Sequence, residues 1–369
     1  MKRQLLWGIA LLAAACSTPP AEPTLKEAFA DEFLVGTALN AAQITGQDRE
    51  AQALIATHFN SIVAENCMKS EEIQPEEGKF DFSLSDPFVA FGEENGMFII
   101  GHTLVWHSQL APWFPFDKEG NKVTREVMIE RLKSHITTLV SRYRGRIQGW
   151  DVVNEAILDD GTLRPTPFLE IIGEDYLELA FQFAHEADPD AELYYNDYSM
   201  ASEGKRNRVV QLIRDLKAKG IRIDAVGMQN HMGLDHPSIE EFEKSLTAYA
   251  AEGVKVMITE WDITALPTVR MGAEISDRVA YAKQMNPYPD GMPEEALEAW
   301  NARLRAFVDL YEKHAEKISR VTVWGFSDGD SWRNDWPMPG RTDYPLLFDR
   351  EKKLKPVVQE IINEKLSKK

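Results

Sequence analysis

The sequence predicts an α/β protein built as a single (β/α)8 TIM barrel, and three observations predict it. Short apolar runs rich in β-branched residues recur eight times. Stretches with helical apolar periodicity lie between them. The first halves of the runs are mostly apolar, whereas their last residues are polar or aromatic. A strand buried on both faces reads as a continuous apolar run. Strands that alternate with amphipathic helices form a parallel sheet, closed into a barrel or left open and doubly wound. No G-x-G-x-x-G or G-x-x-x-x-G-K-[ST] stretch supports a nucleotide-binding open sheet.

In order, the runs are "FLVGTALN" from Phe33, "FNSIVAEN" from Phe59, "FIIGHTLVW" from Phe98 and "IQGWDVVNE" from Ile147. They continue with "AELYYNDY" from Ala191, "AVGMQNH" from Ala225, "VKVMITEWD" from Val254 and "RVTVWGFSD" from Arg320. Among the helices, Met128, Leu132, Ile136, Leu139 and Tyr143 share one face ahead of Gly145. Val209, Leu212, Ile213 and Leu216 share another, closed by Gly220. Ser238 and Glu241 form an S-x-x-E capping box before Phe242, Leu246 and Tyr249.

The start of the chain reads differently. A basic "MKRQ" precedes "LLWGIALLAAA", an apolar run too short to span a bilayer and suited to a signal-peptide core. Ala-Ala-Ala-Cys16 resembles a bacterial lipobox, although leucine is more usual three positions before the cysteine. Residues 1–16 are therefore read as a signal peptide ending in a lipidated Cys16, and residues 17–24 as an extended tether. Residues 25–369 form the barrel. The protein is expected to be exported and membrane-anchored as a periplasmic or cell-surface lipoprotein, or else secreted. Cys67 is then the one cysteine of the folded part, a small buried hydrophobe with no disulfide partner.

With 369 residues, 44% of them hydrophobic, the chain can bury a large core. A net charge of −18 argues against a nucleic-acid partner, because nothing would neutralise a phosphate backbone. It fits a neutral ligand.

In a barrel every strand end reaches the same C-terminal mouth, where the loops build active sites. Those ends carry Asn40, Glu65 and Asn66, His102 and Trp106, Asn154 and Glu155, Asn196 and Asp197, Gln229 and His231, Glu260, and Trp324 and Asp328. Glu155 and Glu260 end the fourth and seventh runs and would face each other. Paired carboxylates flanking a sugar bond are the machinery of glycoside hydrolysis, one protonated and one ionised. His231, on the neighbouring sixth strand, is placed to hydrogen-bond Glu260 and keep it ionised. Asn154 and Glu155 point to opposite sides of a regular strand, so a backbone irregularity is needed for both to reach one sugar. His102 and His107 likewise face opposite sides, and no H-E-x-x-H pattern exists, so no metal and no cofactor are expected.

"GHTLVWHSQ", "WDVVNEA", "YYNDY", "GMQNH", "ITEWDI" and "WGFSDGDSW", preceded by "AENCMKSEEIQPEEGKFDF", together resemble glycoside hydrolase family 10. The resemblance runs from about Leu25 to the C-terminus. It implies a (β/α)8 barrel and a retaining endo-β-1,4-xylanase, acting on xylan and xylo-oligosaccharides; a monomer is expected. It implies that Glu155 is the acid/base, that Glu260 is the nucleophile, and that His231 supports it with Gln229 alongside. His102, Trp106 and Asn154 would surround the sugar being cleaved. Glu65, Asn66, Lys69 and Gln109 would bond the next glycone sugar, and Trp324 and Trp332 would be aromatic platforms. Trp261 stands where leucine is common and should point away from the mouth. The segment from Leu266 to Trp300 is expected to shape the leaving-group side. Two other readings share these features: a retaining endo-glycosidase of mixed xylan/glucan specificity, and a non-catalytic surface lipoprotein that captures polysaccharide.

Overall fold

The computed structural model describes residues 22–267 and 284–369. The signal segment, Cys16 and the middle of the segment between Leu266 and Trp300 lie outside the described residues. The strands are β1 (Leu34–Leu39), β2 (Ser61–Ala64), β3 (Phe98–Val105), β4 (Gly149–Asn154), β5 (Glu192–Asp197), β6 (Ala225–Met228), β7 (His231–Gly233), β8 (Lys255–Thr264) and β9 (Ile318–Val323). All pairings among them are parallel. They run β6-β5-β4-β3-β2-β1-β9-β8, and β6 pairs with β8 to close the ring. This is the predicted eight-stranded barrel.

The sixth run departs from the expected single strand. It breaks after Met228, and Asn230 takes a positive φ of 61°. The Asn230 side chain donates to the Tyr311 hydroxyl at 2.6 Å, which holds the kink. The chain then resumes as β7, which pairs with the mouth end of β8 (His231 opposite Asp262). A second departure concerns the tether. Thr24, assigned to it, is buried and caps the helix Leu25–Ala28 in a reciprocal box with Glu27, so this residue packs with the barrel. A third concerns Ser238. Its side chain accepts the Glu241 N–H at 3.2 Å, but the Glu241 carboxylate pairs with Arg206 at 3.3 Å instead of reaching back.

Two apolar layers fill the barrel. The larger lies between strands and helices, and it takes in Trp261, which packs edge-on against Tyr311 at 5.2 Å and so points away from the mouth as expected. The smaller lies inside the ring and consists of Ala38, Val63, Ile100, Tyr194, Ala225, Met257 and Trp324. The interior is thus a packed floor beneath the mouth, not a pore. Trp150 of β4 is fully buried in the outer layer opposite Gly101 of β3. A Cβ on Gly101 would come within 2.1 Å of the indole, so only glycine admits that ring. Cys67 is buried, and burial pushes its thiol up to about 12, which suits a packing role and leaves little thiolate.

Candidate active site

The strand ends named above converge on one rim. β4 carries an extra residue relative to β5: Asp151 pairs with Tyr194 and Val153 with Tyr195, so Val152 bulges. Beyond it, Glu155 adopts a φ of 58°, a conformation that costs a non-glycine residue about 1–3 kcal/mol. The bulge and the left-handed residue supply the irregularity that alternation demanded. Asn154 and Glu155 now share one side, with Asn154 Nδ2 3.4 Å from Glu155 Oε1. Neighbours hold the strained backbone: Glu155 N–H donates to the Asn196 carbonyl at 2.9 Å, and Arg164 Nε donates to the Glu155 carbonyl at 2.8 Å.

The two glutamates are joined by a relay of amides. Gln229 Nε2 donates to Glu155 Oε1 (3.1 Å) and to Asn154 Oδ1 (3.2 Å). Asn196 Nδ2 donates to Asn154 Oδ1 (3.0 Å) and to Glu260 Oε1 (2.9 Å). Thr259 Oγ1 donates to Asn196 Oδ1 at 2.6 Å, which fixes the amide so that its NH2 faces both carbonyl and carboxylate.

On the Glu260 side, Oε2 lies 3.1 Å from His231 Nε2, and His231 Nδ1 lies 2.7 Å from Asp262 Oδ2. Asp262 also accepts from Trp332 Nε1 (2.9 Å) and Arg333 Nε (2.8 Å). Burial works against ionisation of Glu260, but His231, by hydrogen bond and charge, helped by His102 and Asn196, holds the carboxyl below its ordinary value. Asp262 is likewise held low against its burial, chiefly by the charges of Arg333 and His231. Burial disfavours the His231 imidazolium, yet Asp262 and Glu260 outweigh it and push the group up to about 9.

This shift has a consequence for stability. An unfolded imidazole titrates near 6.5. A folded value of about 9 means that the contribution of His231 is whole below 6.5 and is lost as pH rises through about 9. Melting curves of the wild type should therefore show a fall in Tm across that window that His231→Asn reduces. A wild-type Tm that is flat from pH 6.5 to 9.5 would contradict the assignment.

The remaining predicted residues line the same mouth. Lys69 is buried and donates to Asn66 Oδ1 and Gln109 Oε1, each at 2.9 Å, with its amine 4.9 Å above the Trp106 ring. Burial lowers the Lys69 amine, opposed by the charges of Glu260, Glu65 and Glu155. Burial raises Glu65, opposed first by Lys69. His102 Nδ1 lies 2.9 Å from Asp151 Oδ2, and its ring meets the edge of Trp324 at 5.3 Å. Trp324 is only 7% exposed, so it forms part of the floor rather than an open wall. Trp332 lies edge-on to His231 at 5.0 Å. His107 meets the Trp106 ring edge-on at 6.1 Å, and the same indole lies 6.4 Å from the His102 ring. Among the described residues, no three His, Cys, Asp or Glu side chains gather as a metal ion would require.

Sequence reasoning missed Asp151, Asn196, Thr259, Asp262, Arg164 and Arg333 as site residues. Asp262 had a signal: it stands two positions beyond Glu260 and so shares its face of β8. Asn196 had only its place at a polar strand end. Nothing local marked Arg164 or Arg333.

The profile of glycosyl hydrolase family 10 matches residues 24–364. The endo-1,4-beta-xylanase A of Xylanibacter ruminicola is 52% identical over 361 residues, covering 97% of this chain and 98% of that protein. An endo-1,4-beta-xylanase of Geobacillus stearothermophilus is 38% identical, covering 92% and 98%. Among solved structures, a family 10 endoxylanase from a sugarcane soil metagenome superposes with a TM-score of 0.88 at 43% identity, covering 93% of this chain and all of that one. A mutant protein solved in complex with xylotriose superposes with a TM-score of 0.81 at 32% identity, covering 92% and 99%. A match over nearly the whole barrel, together with two glutamates linked across its mouth, leads to one assignment: the chain belongs to glycosyl hydrolase family 10.

Proposed function

We propose that this protein is an endo-β-1,4-xylanase that hydrolyses internal xylosidic bonds of xylan with retention of configuration. The observation that carries the reading is the Glu155–Gln229–Asn154–Asn196–Glu260 relay, with Glu260 held ionised by His231. The names of the relatives, and the xylotriose in one structural neighbour, supply the substrate class.

In the first step the Glu260 carboxylate attacks the anomeric carbon. The bond to the leaving oxygen breaks as Glu155 gives that oxygen its proton, leaving a glycosyl ester on Glu260. In the second step Glu155, now a carboxylate, takes a proton from water. The resulting hydroxide equivalent attacks the anomeric carbon and releases Glu260. Asn154 is placed to hold a hydroxyl of the reacting sugar, and His102 and Trp106 enclose that sugar. Glu65, Asn66, Lys69 and Gln109 offer charged and amide groups to the next one. Trp332 presents a ring to the glycone, with Trp324 beneath.

Proton NMR of xylopentaose hydrolysis from the earliest times tests this. Internal cleavage with the β-anomer first is expected. An α-anomer first would remove Glu260 from the nucleophile role, and no cleavage would overturn the substrate. We further infer, from the N-terminal sequence alone, export with lipid attachment at Cys16. Expression with labelled fatty acid should label the wild type and not Cys16→Ala.

A further inference from the structure

Trp336 is the most exposed large hydrophobic side chain among the described residues, at 47%. It sits four residues beyond Trp332, and the two rings lie 5.3 Å apart at 40°. Its backbone is firmly mounted. Buried Arg341 donates Nη1 to the Trp336 carbonyl at 2.7 Å and Nε to the Met285 carbonyl at 2.8 Å, while its own N–H bonds the Asn334 carbonyl at 2.8 Å. The Asn334 side chain is fixed in turn by the Asp328 carbonyl and the Asp343 N–H. A rigid turn thus presents half an indole to water, although exposed apolar surface is unfavourable by about 25 cal/mol per Å². The ring's aromatic neighbour is Trp332, itself part of the mouth.

The two tilted rings form one curved aromatic surface that starts at His231 and Asp262 and leads outward. A β-1,4-linked xylan chain presents an apolar C–H face with each ring, and such faces pack on aromatic planes. We propose that Trp336 is an additional sugar-stacking contact, taking a xylose unit farther from the cleavage point than the unit at Trp332. The inference rests on the xylanase reading and adds to it a determinant of preference for longer chains.

The test is kcat/KM on xylotriose, xylotetraose, xylopentaose and xylohexaose for wild type, Trp336→Ala and Trp336→Phe. A stacked ring contributes on the order of tenfold, or about 1.4 kcal/mol. The ratio of kcat/KM for xylohexaose to that for xylotriose should fall about tenfold in Trp336→Ala and recover largely in Trp336→Phe. An equal loss on every substrate would show that the ring only buttresses Trp332 and would overturn the proposal, as would no loss on any. Absence of cleavage by the wild type would overturn the xylanase reading together with this one. A chain-length-independent effect beside an active wild type overturns this one alone.

Discussion

Glu260→Gln is expected to lower turnover on xylan by at least about 10⁴-fold, equivalent to about 5.5 kcal/mol of barrier, with the fold intact. The amide keeps the shape that Asn196 and His231 pack against, but it cannot attack the anomeric carbon. The comparison with Glu155→Gln makes the result diagnostic. On the roles proposed above, that variant loses the proton donor and keeps the nucleophile. An aryl xylobioside with a leaving group acidic enough to depart unprotonated should still load Glu260, giving a burst followed by slow release. Added azide, which needs no general base, should speed release and yield a glycosyl azide. Glu260→Gln should show neither burst nor rescue. Retention of a tenth or more of wild-type activity by a folded Glu260→Gln would rule out the double displacement.

Lys205→Met is expected to destabilise the fold by about 3–5 kcal/mol, the range for breaking a buried ion pair from one side. The Lys205 and Asp197 side chains are both fully buried, with Nζ 2.8 Å from Oδ1. Asp197 also accepts from the Tyr195 hydroxyl and from the N–H groups of Tyr198 and Ile157, so it ties the end of β5 to the loop that follows Glu155. Burial pushes Asp197 up to about 6 even with Lys205 relieving it. Without the ammonium the folded value rises further, while the unfolded value stays near 3.9. A raised folded pKa means stability that is present at low pH and lost as pH rises through it. The deficit of Lys205→Met should therefore be smallest near pH 4 and largest above pH 7, where Tm should fall by roughly 5–10 °C. A Tm within about 2 °C of wild type at pH 8 would show that the pair is not coupled to folding.

The parts of the site that could be read from the chain are those set by local pattern. Glu155 and Glu260 stand out because each ends an apolar run where a carboxylate is costly to bury. His231 stands out because it ends the neighbouring run, and the Trp261 orientation follows from its place one residue after Glu260. What local pattern does not carry has a different cause. Breakage of the sixth run at Asn230 depends on a hydroxyl from Tyr311, 81 positions away. The placement of Trp324 in the floor depends on six residues from six other strands. The loss of the reciprocal half of the Ser238 box depends on Arg206, in the preceding helix of the ring. A helix cap and a strand pattern are written in adjacent residues, whereas a partner from another element leaves no trace in spacing.

Local pattern along the chain specifies the barrel, the rim on which its polar residues gather and the two carboxylates at its centre. Periodicity and apolar run length act through nearest neighbours and burial, which composition and order already specify. Tertiary structure alone decided how those carboxylates are tuned. Val152 bulges where β4 pairs with β5, and Glu155 turns into the left-handed region with Arg164 and Asn196 holding its backbone. Glu260 stays ionised because closure of the ring brings His231, Asp262, Trp332 and Arg333 into one hydrogen-bonded chain behind it. Electrostatic tuning depends on distances of about 3 Å between groups far apart in the chain, and only the closed fold sets those distances.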